Sequence, residues 1–207
     1  MNESNRQHHW ERVYGTRQST EVSWYQPKPE KSLQLIKESG VGLATPIIDV
    51  GGGASTLVDH LFDEGYHDIT VLDIAETAFD HTRRRLGRRA DQVHWVVADV
   101  TRFEAERSYG LWHDRAVLHF LTDARDRKGY VKALHKALAP GGFLVLSTFG
   151  PEGPVKCSGL DVRRYRIDMV AELLGQSFDL LGSELESHTT PGGSPQQFLY
   201  SCWTRRE

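Results

Sequence analysis

The stretch IIDVGGGAS, residues 47–55, decides the fold together with DITVLDI, residues 68–74, which closes on a second acid at Asp73. Each stretch contains a short apolar run of the kind that forms a buried strand, and the first continues into glycines and a small hydroxyl. Glycines let the backbone approach a ligand without a Cβ collision, and a following helix presents unpaired N–H groups. The two stretches therefore predict a pocket for a small polar cofactor.

The spacing of the glycines argues against a site for NAD. That fingerprint reads G-x-G-x-x-G, and counting from Gly51 the third glycine position is Thr56. Asp49, two residues before the first glycine, is a poor neighbour for a phosphate but a good one for a cationic ligand. The loop is therefore expected to hold a positively charged cofactor rather than a pyrophosphate.

These motifs resemble those of the class I S-adenosylmethionine-dependent methyltransferases. The family's first motif is an acid-x-Gly-x-Gly loop, which Asp49, Gly51 and Gly53 match, and its second is an acid ending the next strand, which Asp73 matches. The resemblance, which covers nearly the whole chain, implies that the first loop wraps the methionine part of the cofactor and that Asp73 binds the ribose hydroxyls. Ser55 stands where many members have glycine, and its hydroxyl is expected to cap the next helix.

Further cofactor contacts follow from the resemblance. Asp99 ends the run VHWVVAD at the place where family members often hold the adenine amino group, and Val100 would flank the purine. Both acids also have a simpler interpretation, because Asp73 could cap a helix near Ala75 and Asp99 a turn through Thr101. The predicted cofactor-binding residues are Asp49, Gly51, Gly52, Gly53, Ser55, Asp73, Ile74, Asp99, Val100, Trp24 and Tyr14.

The resemblance places the substrate chemistry in the fourth motif, LWHDRAVLHFL, residues 111–121. An acid, a base and a cation come together within seven residues, at His113, Asp114, Arg115 and His119. Methyl transfer needs a deprotonated nucleophile held near the sulfonium methyl, and histidine is the natural base at neutral pH. Asp114, His113 and His119 are the predicted catalytic residues. The alternative for either histidine is a packed side chain with no catalytic role.

Residues 1–40 are predicted to form an aromatic-rich lid and a helix, packed on a methyltransferase domain of residues 41–207 within one structural domain. The segment holds Trp10, Tyr14, Trp24 and Tyr25, and such rings attract a sulfonium by cation–π contact. The alternative is that they cover the sheet as ordinary core.

Strand and helix patterns alternate along the rest of the chain, which predicts a parallel sheet covered on both faces. The expected fold class is α/β, a three-layer Rossmann-like sandwich with a seven-stranded, mostly parallel sheet. The resemblance implies the strand order 3-2-1-4-5-7-6 with an antiparallel last strand, and HTTPGGSPQ, residues 188–196, is short enough for a hairpin there. Strands are predicted at residues 46–50, 69–73, 93–98, 110–114, 143–148, 178–184 and 197–204, and helices at 33–37, 56–64, 76–88, 126–138 and 167–175.

Composition limits the class of partner. A hydrophobic content of 39% in 207 residues is enough for one core, and a net charge of −3 gives no basic field for nucleic acid. No apolar run reaches the roughly 18 residues of a membrane helix. Cys157 and Cys202 indicate no disulfide framework, the histidines show no metal-ligand spacing, and the polar start is no secretory signal. A cytoplasmic monomer or homodimer without a metal is expected.

The predicted function is methyl transfer from S-adenosyl-L-methionine to a small nucleophile, with a thiol, a chalcogen, an amine and an oxygen acceptor left open. The first alternative is a protein lysine methyltransferase, because the fourth motif loosely resembles the Asp-Lys-Gly region of those enzymes, with Arg115 and Ala116 at the second and third positions. The second alternative is a cofactor-binding regulator without activity.

Overall fold

The computed structural model describes residues 3–16 and 18–207, and it contains one large sheet with helices on both faces. The strands of that sheet are β1 Ile47–Val50, β2 Ile69–Asp73, β3 Val93–Val97, β4 Tyr109–Arg115, β5 Leu138–Phe149, β6 Phe178–Thr189 and β7 Pro195–Arg205. The α-helices are α1 Glu3–Thr16, α2 Glu30–Glu38, α3 Leu57–Asp63, α4 Glu76–Leu86, α5 Ala124–Ala137 and α6 Ile167–Leu174.

The strand order is β3-β2-β1-β4-β5-β7-β6, and the neighbours are parallel except that β7 runs antiparallel to β5 and β6. The order and the antiparallel last strand confirm the predicted fold class. Because the order reverses between β1 and β4, the connections after these strands leave in opposite directions and open a crevice at their carboxyl ends.

Neighbouring residues of β1 supply two separate cores, as expected for a strand buried on both sides. Ile47 packs in a cluster with apolar residues of α2, α3 and α4, whereas Ile48 packs in another with residues of α5 and α6. The sheet is therefore the middle of three layers. Its predicted strands and helices all form, and most of their ends lie within two residues of the expected positions.

The N-terminal helix α1 packs against α4 and completes its first turn. The carboxylate of Glu11 accepts hydrogen bonds from the N–H of Glu76 at 2.8 Å and from the hydroxyl of Thr77 at 2.6 Å. No side chain within α4 caps that end, so α1 supplies the missing acceptor.

Three features differ most from the sequence predictions, and one is β6, which extends to Thr189, five residues beyond the expected end. No helix was expected at residues 3–16, because the buried face of α1 includes the charged Arg6 beside Val13 and Tyr14. Strand β5 begins at Leu138, five residues early, since a register shift against β4 accommodates residues 139–142. The boundary at residue 40 stays a prediction, and residues 1, 2 and 17 of that segment lie outside the described ones.

Candidate active site

An open cleft lies at the carboxyl ends of β1, β2 and β4, where the strand order reverses. A smaller pocket adjoins it at the glycine turn. The predicted site residues that border the cleft are Gly51, Asp73, Ile74, Asp99, Val100, His119, Trp24 and Tyr14. Those that border only the smaller pocket are Asp49, Gly52, Ser55 and His113, while Gly53 and Asp114 border neither.

The glycine turn after β1 needs glycine for its own packing as well as for access. Gly51 has a φ of 70°, and a Cβ there would overlap Val117. Gly53 donates its N–H to Asp73 at 3.1 Å, and a Cβ there would overlap Ala78. The turn is thus pressed against the next motifs, which fixes the backbone that faces the cleft.

Asp49 and His113 form a buried pair across β1 and β4. The Nδ1 of His113 lies 2.7 Å from Oδ1 of Asp49, and its Nε2 lies 2.9 Å from the hydroxyl of Ser32 on α2. Both ring nitrogens therefore have partners within the protein. This geometry suits a residue that positions Asp49, and the predicted catalytic role of His113 stays a prediction.

Asp73 ends β2 with its carboxylate bound to two backbone groups. One oxygen accepts the N–H of Gly53 and the other accepts the N–H of Ala75 at 3.0 Å. Burial raises the pKa of Asp73 to about 6, against the lowering effect of these hydrogen bonds. The carboxylate borders the cleft and keeps acceptor capacity for a ligand.

The carboxylate of Asp99 accepts more hydrogen bonds from the protein than the sequence predicts. One oxygen accepts from the N–H and the hydroxyl of Thr101, and the other from Nε and Nη2 of Arg6 on α1, at 3.1 and 2.7 Å. Arg6 also pairs with Asp126. These four bonds use the usual acceptor capacity of a carboxylate. For Asp99 to bind adenine, Arg6 must therefore release one of its two hydrogen bonds to this carboxylate.

Asp114 at the end of β4 is fully buried and bonded to the turn that follows. Its oxygens accept the N–H groups of Val117 at 2.8 Å and of Leu118 at 3.2 Å. Burial raises the pKa of Asp114 to about 6. The carboxylate shapes the turn that carries His119, while its predicted catalytic role stays a prediction.

His119 borders the cleft with a fixed proton arrangement. Its Nδ1 accepts the N–H of Phe149 at 3.2 Å, so the neutral ring carries its proton on Nε2, which is buried without a partner. The ring stacks on Phe149 at 4.2 Å, and burial lowers its pKa to about 3, with the charge of Arg115 adding to the shift. His119 is consequently a neutral hydrogen-bond donor.

Arg115 borders both the cleft and the smaller pocket, although it was not among the predicted site residues. Its Nε donates to the hydroxyl of Tyr200 at 3.1 Å, its Nη1 donates to the carbonyl of Trp24 at 2.8 Å, and its Nη2 is buried without a partner. The guanidinium lies over the ring of Phe198 at 5.2 Å. These hydrogen-bond partners are neutral, and the charge of Arg115 interacts at longer range with the carboxylate of Glu186.

The aromatic residues of the N-terminal segment form one wall of the cleft. Trp24 lies 5.7 Å from Trp10 and 6.4 Å from Tyr14, and Trp10 lies 5.0 Å from Phe120 beyond β4. These rings contact each other and face the cleft as well. The lid and the core interpretation are therefore both compatible with their position.

The family comparison matches this geometry. Residues 48–144, from β1 into β5, match a family model described as a methyltransferase domain. Residues 48–144 are thus similar to a methyltransferase domain, and they lie in a sheet with the strand order expected of the class I fold. This finding confirms the resemblance drawn from the motifs, and the cofactor of that family is S-adenosylmethionine. The methyltransferase domain includes the glycine turn and the residues that end β2, β3 and β4.

Relatives of the methyltransferase domain have several named activities. Nodulation protein S of Rhizobium tropici is 34% identical over 110 residues, which are 53% of this chain and 44% of that protein. An eEF1A lysine and N-terminal methyltransferase of Danio rerio is 28% identical over 152 residues, which are 72% of this chain and 22% of that protein. The chain thus spans about half or less of these curated relatives.

A solved structure shares the fold over almost the full length. The N-methyltransferase NodS from Bradyrhizobium japonicum, in complex with S-adenosyl-L-homocysteine, superposes with a TM-score of 0.68 at 16% identity, covering 95% of this chain and 98% of that one. At this identity the likeness shows the fold alone. In the part of the chain that the structure describes, no helix is both long and apolar enough to cross a membrane.

The sequence predictions did not include Arg6 or Phe198 among the site residues. They named Arg115 only as a neighbour of the predicted catalytic residues. Arg6 and Phe198 lie outside the recognised motifs and reach the cleft through α1 and through the antiparallel strand β7. A signal existed for α1, because Arg6, Trp10, Val13 and Tyr14 recur at helical spacing. The strand itself was predicted at residues 197–204, but no local pattern indicates that Phe198 on it borders the cleft.

Proposed function

We propose that this chain binds S-adenosylmethionine at the glycine turn and transfers the methyl group to a small molecule in the same cleft. The observation that carries this proposal is one continuous cleft whose lining includes two chemically different groups of residues. We call the group of Asp73 and the turn at Gly51 the cofactor end, and the group of Arg115, His119 and the rings of Phe149 and Phe198 the acceptor end. The activities named for the relatives support methyl transfer, and the aromatic lining of the acceptor end favours a compact acceptor.

The residues at the cofactor end fit this cofactor. The carboxylate of Asp73 accepts backbone N–H groups and retains acceptor capacity for a ribose hydroxyl. The Oδ2 of Asp49 is buried without a partner beside Gly52, where it suits the ammonium of a methionine group. When bound, the cofactor supplies an electrophilic methyl on a sulfonium. The rings of Trp10 and Trp24 border the same cleft.

The chain contributes mainly orientation to this reaction. His113 has both ring nitrogens bonded, Asp114 has both oxygens bonded to backbone, and His119 presents a proton rather than a lone pair. None of the three is poised to remove a proton from an acceptor in the cleft. Proximity and alignment then supply most of the rate, and the acceptor is used in a form that already has a free lone pair.

The second candidate function is a protein lysine methyltransferase, which the similarity to the eEF1A methyltransferase favours. The charges along the cleft argue against it. Among the described residues that border the cleft, the carboxylates are Asp73 and Asp99 at the cofactor end, whereas Arg115 stands at the other end. A lysine ammonium would be repelled there and would find no base. Cytoplasmic location and a monomeric or homodimeric state remain predictions from the sequence.

The proposal is tested by calorimetric titration of the chain with S-adenosylmethionine and S-adenosylhomocysteine, with NAD as the control. The loaded protein is then incubated with small thiols, amines, phenols and carboxylic acids and, separately, with a lysine-rich protein mixture, using a labelled methyl group. We expect binding of the two sulfur cofactors and label on a small molecule. Label on protein lysine would support the second candidate, and binding without any transfer would indicate a regulator.

A further inference from the structure

The acceptor end of the cleft contains two buried donors that the protein itself leaves unused. The Nη2 of Arg115 and the Nε2 of His119 have no hydrogen-bond partner, and both side chains border the cleft. A buried donor without an acceptor costs roughly 1–3 kcal/mol, so an arrangement of two such groups is explained best by a ligand that satisfies them.

Both donors are held in place by the same aromatic cluster. Arg115 lies over Phe198, His119 stacks on Phe149, and the two phenylalanine rings are 4.8 Å apart. The remaining polar atoms of both side chains are bonded to Tyr200, to Trp24 and to the backbone. The donors are thus preorganised, which is the property of a recognition site rather than of mobile surface groups.

We propose that the methyl acceptor is a flat molecule with a carboxylate, which Arg115 and His119 bind as an anchor. This inference rests on the proposed function and names the substrate class of the same cleft. A cation and a neutral N–H donor together select an anionic oxygen group, and a guanidinium matches a carboxylate particularly well. The surrounding phenylalanine rings favour a planar body next to that group.

The carboxylate anchors the methyl acceptor and is not the group that receives the methyl. Hydrogen bonds and a nearby positive charge hold the lone pairs of an oxygen and so lower its nucleophilicity. The reacting atom is therefore a separate group of the same molecule, which the anchor directs toward the cofactor end. Arg115 and His119 act as specificity residues in this arrangement, because neither needs to move a proton.

The test measures binding of benzoate, benzamide and benzylamine to protein saturated with S-adenosylhomocysteine. Benzoate has the anchor without a nucleophile, so binding is read without turnover. We expect benzoate to bind about tenfold or more tightly than benzamide, and Arg115→Met and His119→Phe each to remove about tenfold of that affinity. Arg115→Lys, which keeps the charge, should lose less and covers the case in which Arg115→Met fails to fold.

The matched control is Arg163→Met. Arg163 is also a partly buried arginine over an aromatic ring, Tyr165 at 5.5 Å, with an unpartnered Nε, but it does not border the cleft. Its replacement should leave benzoate affinity unchanged. Equal affinity for benzoate and benzamide, a preference for benzylamine, or no benzoate binding at millimolar concentration would each overturn the proposal.

Two further measurements separate this inference from the cofactor assignment. If S-adenosylhomocysteine does not bind the wild-type protein, the proposed function itself fails. Because Arg115 also borders the pocket at the glycine turn, its variants are titrated with S-adenosylhomocysteine and with methylthioadenosine, which lacks the amino-acid end. A loss confined to S-adenosylhomocysteine would assign the guanidinium to the cofactor and overturn its role as anchor for the acceptor.

Discussion

The two ends of the cleft differ in how far the protein satisfies its own polar groups. At the cofactor end, Asp73 and Asp99 accept hydrogen bonds from backbone groups and from Arg6. At the acceptor end, Arg115 and His119 each leave a buried N–H group without a partner. The two carboxylates that border the cleft at the first end are thus bonded within the protein, while the two donors at the second end are left to what binds there.

This contrast follows from how each end is built. The cofactor end consists of turns that directly follow β1, β2 and β3, so its shape comes with the sheet. The acceptor end combines the turn after β4 with Phe149 at the end of β5 and Phe198 on β7. Changes at the acceptor end should therefore alter acceptor binding and stability, and changes at the cofactor end should alter cofactor affinity.

The largest effect is expected from His119→Phe, measured as the free energy of unfolding against pH. The pKa of His119 falls from its ordinary 6.5 to about 3 on burial, so only the unfolded chain takes up this proton between those values. Wild-type stability contributed by the neutral ring is thus lost as pH falls from 6.5 toward 3, by roughly 3–5 kcal/mol. Phenylalanine keeps the stacking and removes this loss.

The comparison must be made between variant and wild type, because buried acids act in the opposite direction. The pKa values of Asp73 and Asp114 are raised from 3.8 to about 6, so their contribution to stability rises as pH falls through 6. His119→Phe also loses the bond from Phe149, about 1 kcal/mol at neutral pH. His67→Gln, at an exposed histidine, is the control, and a parallel pH dependence of His119→Phe and wild type would contradict the assignment.

The sequence was sufficient for the fold and for the cofactor end, and insufficient for the acceptor end. Strand patterns and the turn at Gly51 are local, so the strand order and the crevice followed from them together with the family resemblance. Arg6 was missed because a charged residue interrupts the apolar face of α1. Phe198 meets His119 only through the pairing of β5 with β7, which depends on the whole sheet. Unsatisfied donors are visible only in three dimensions.

At the cofactor end, Asp73→Asn should weaken S-adenosylhomocysteine binding by about 1.5–3 kcal/mol, a factor of roughly 10 to 150 in the dissociation constant, because a charged acceptor is lost. Wild-type affinity should also fall as pH falls through about 6, where Asp73 becomes protonated, while the variant shows no such step. Asp114→Asn is the matched control, since that carboxyl is equally buried but borders neither pocket. An equal loss of cofactor affinity in both variants would contradict a specific contact between Asp73 and the cofactor.

An intermediate effect is expected from Trp24→Ala, which tests the aromatic wall. If the ring covers the cofactor, the binding free energy of S-adenosylhomocysteine should weaken by about 1–2 kcal/mol, which is measured as a higher dissociation constant. Trp95→Ala is the control, because Trp95 is also partly buried but packs on Phe79 and Arg83 away from the cleft. If Trp24→Ala lowers only the melting temperature, as expected of Trp95→Ala, the ring is core and the lid interpretation is wrong.

The smallest effect is expected from Ser32→Ala, which frees Nε2 of His113 while leaving its bond to Asp49. If His113 positions Asp49, the free energy of unfolding should drop by roughly 0.5–1.5 kcal/mol and cofactor affinity should weaken by less than that, since one neutral hydrogen bond is lost. If His113 is instead a base restrained by Ser32, the freed nitrogen should shift the pH profile of methyl transfer. A shifted profile with unchanged affinity would make His113 a residue of the reaction itself, and the assignment of His113 as a residue that positions Asp49 would be wrong.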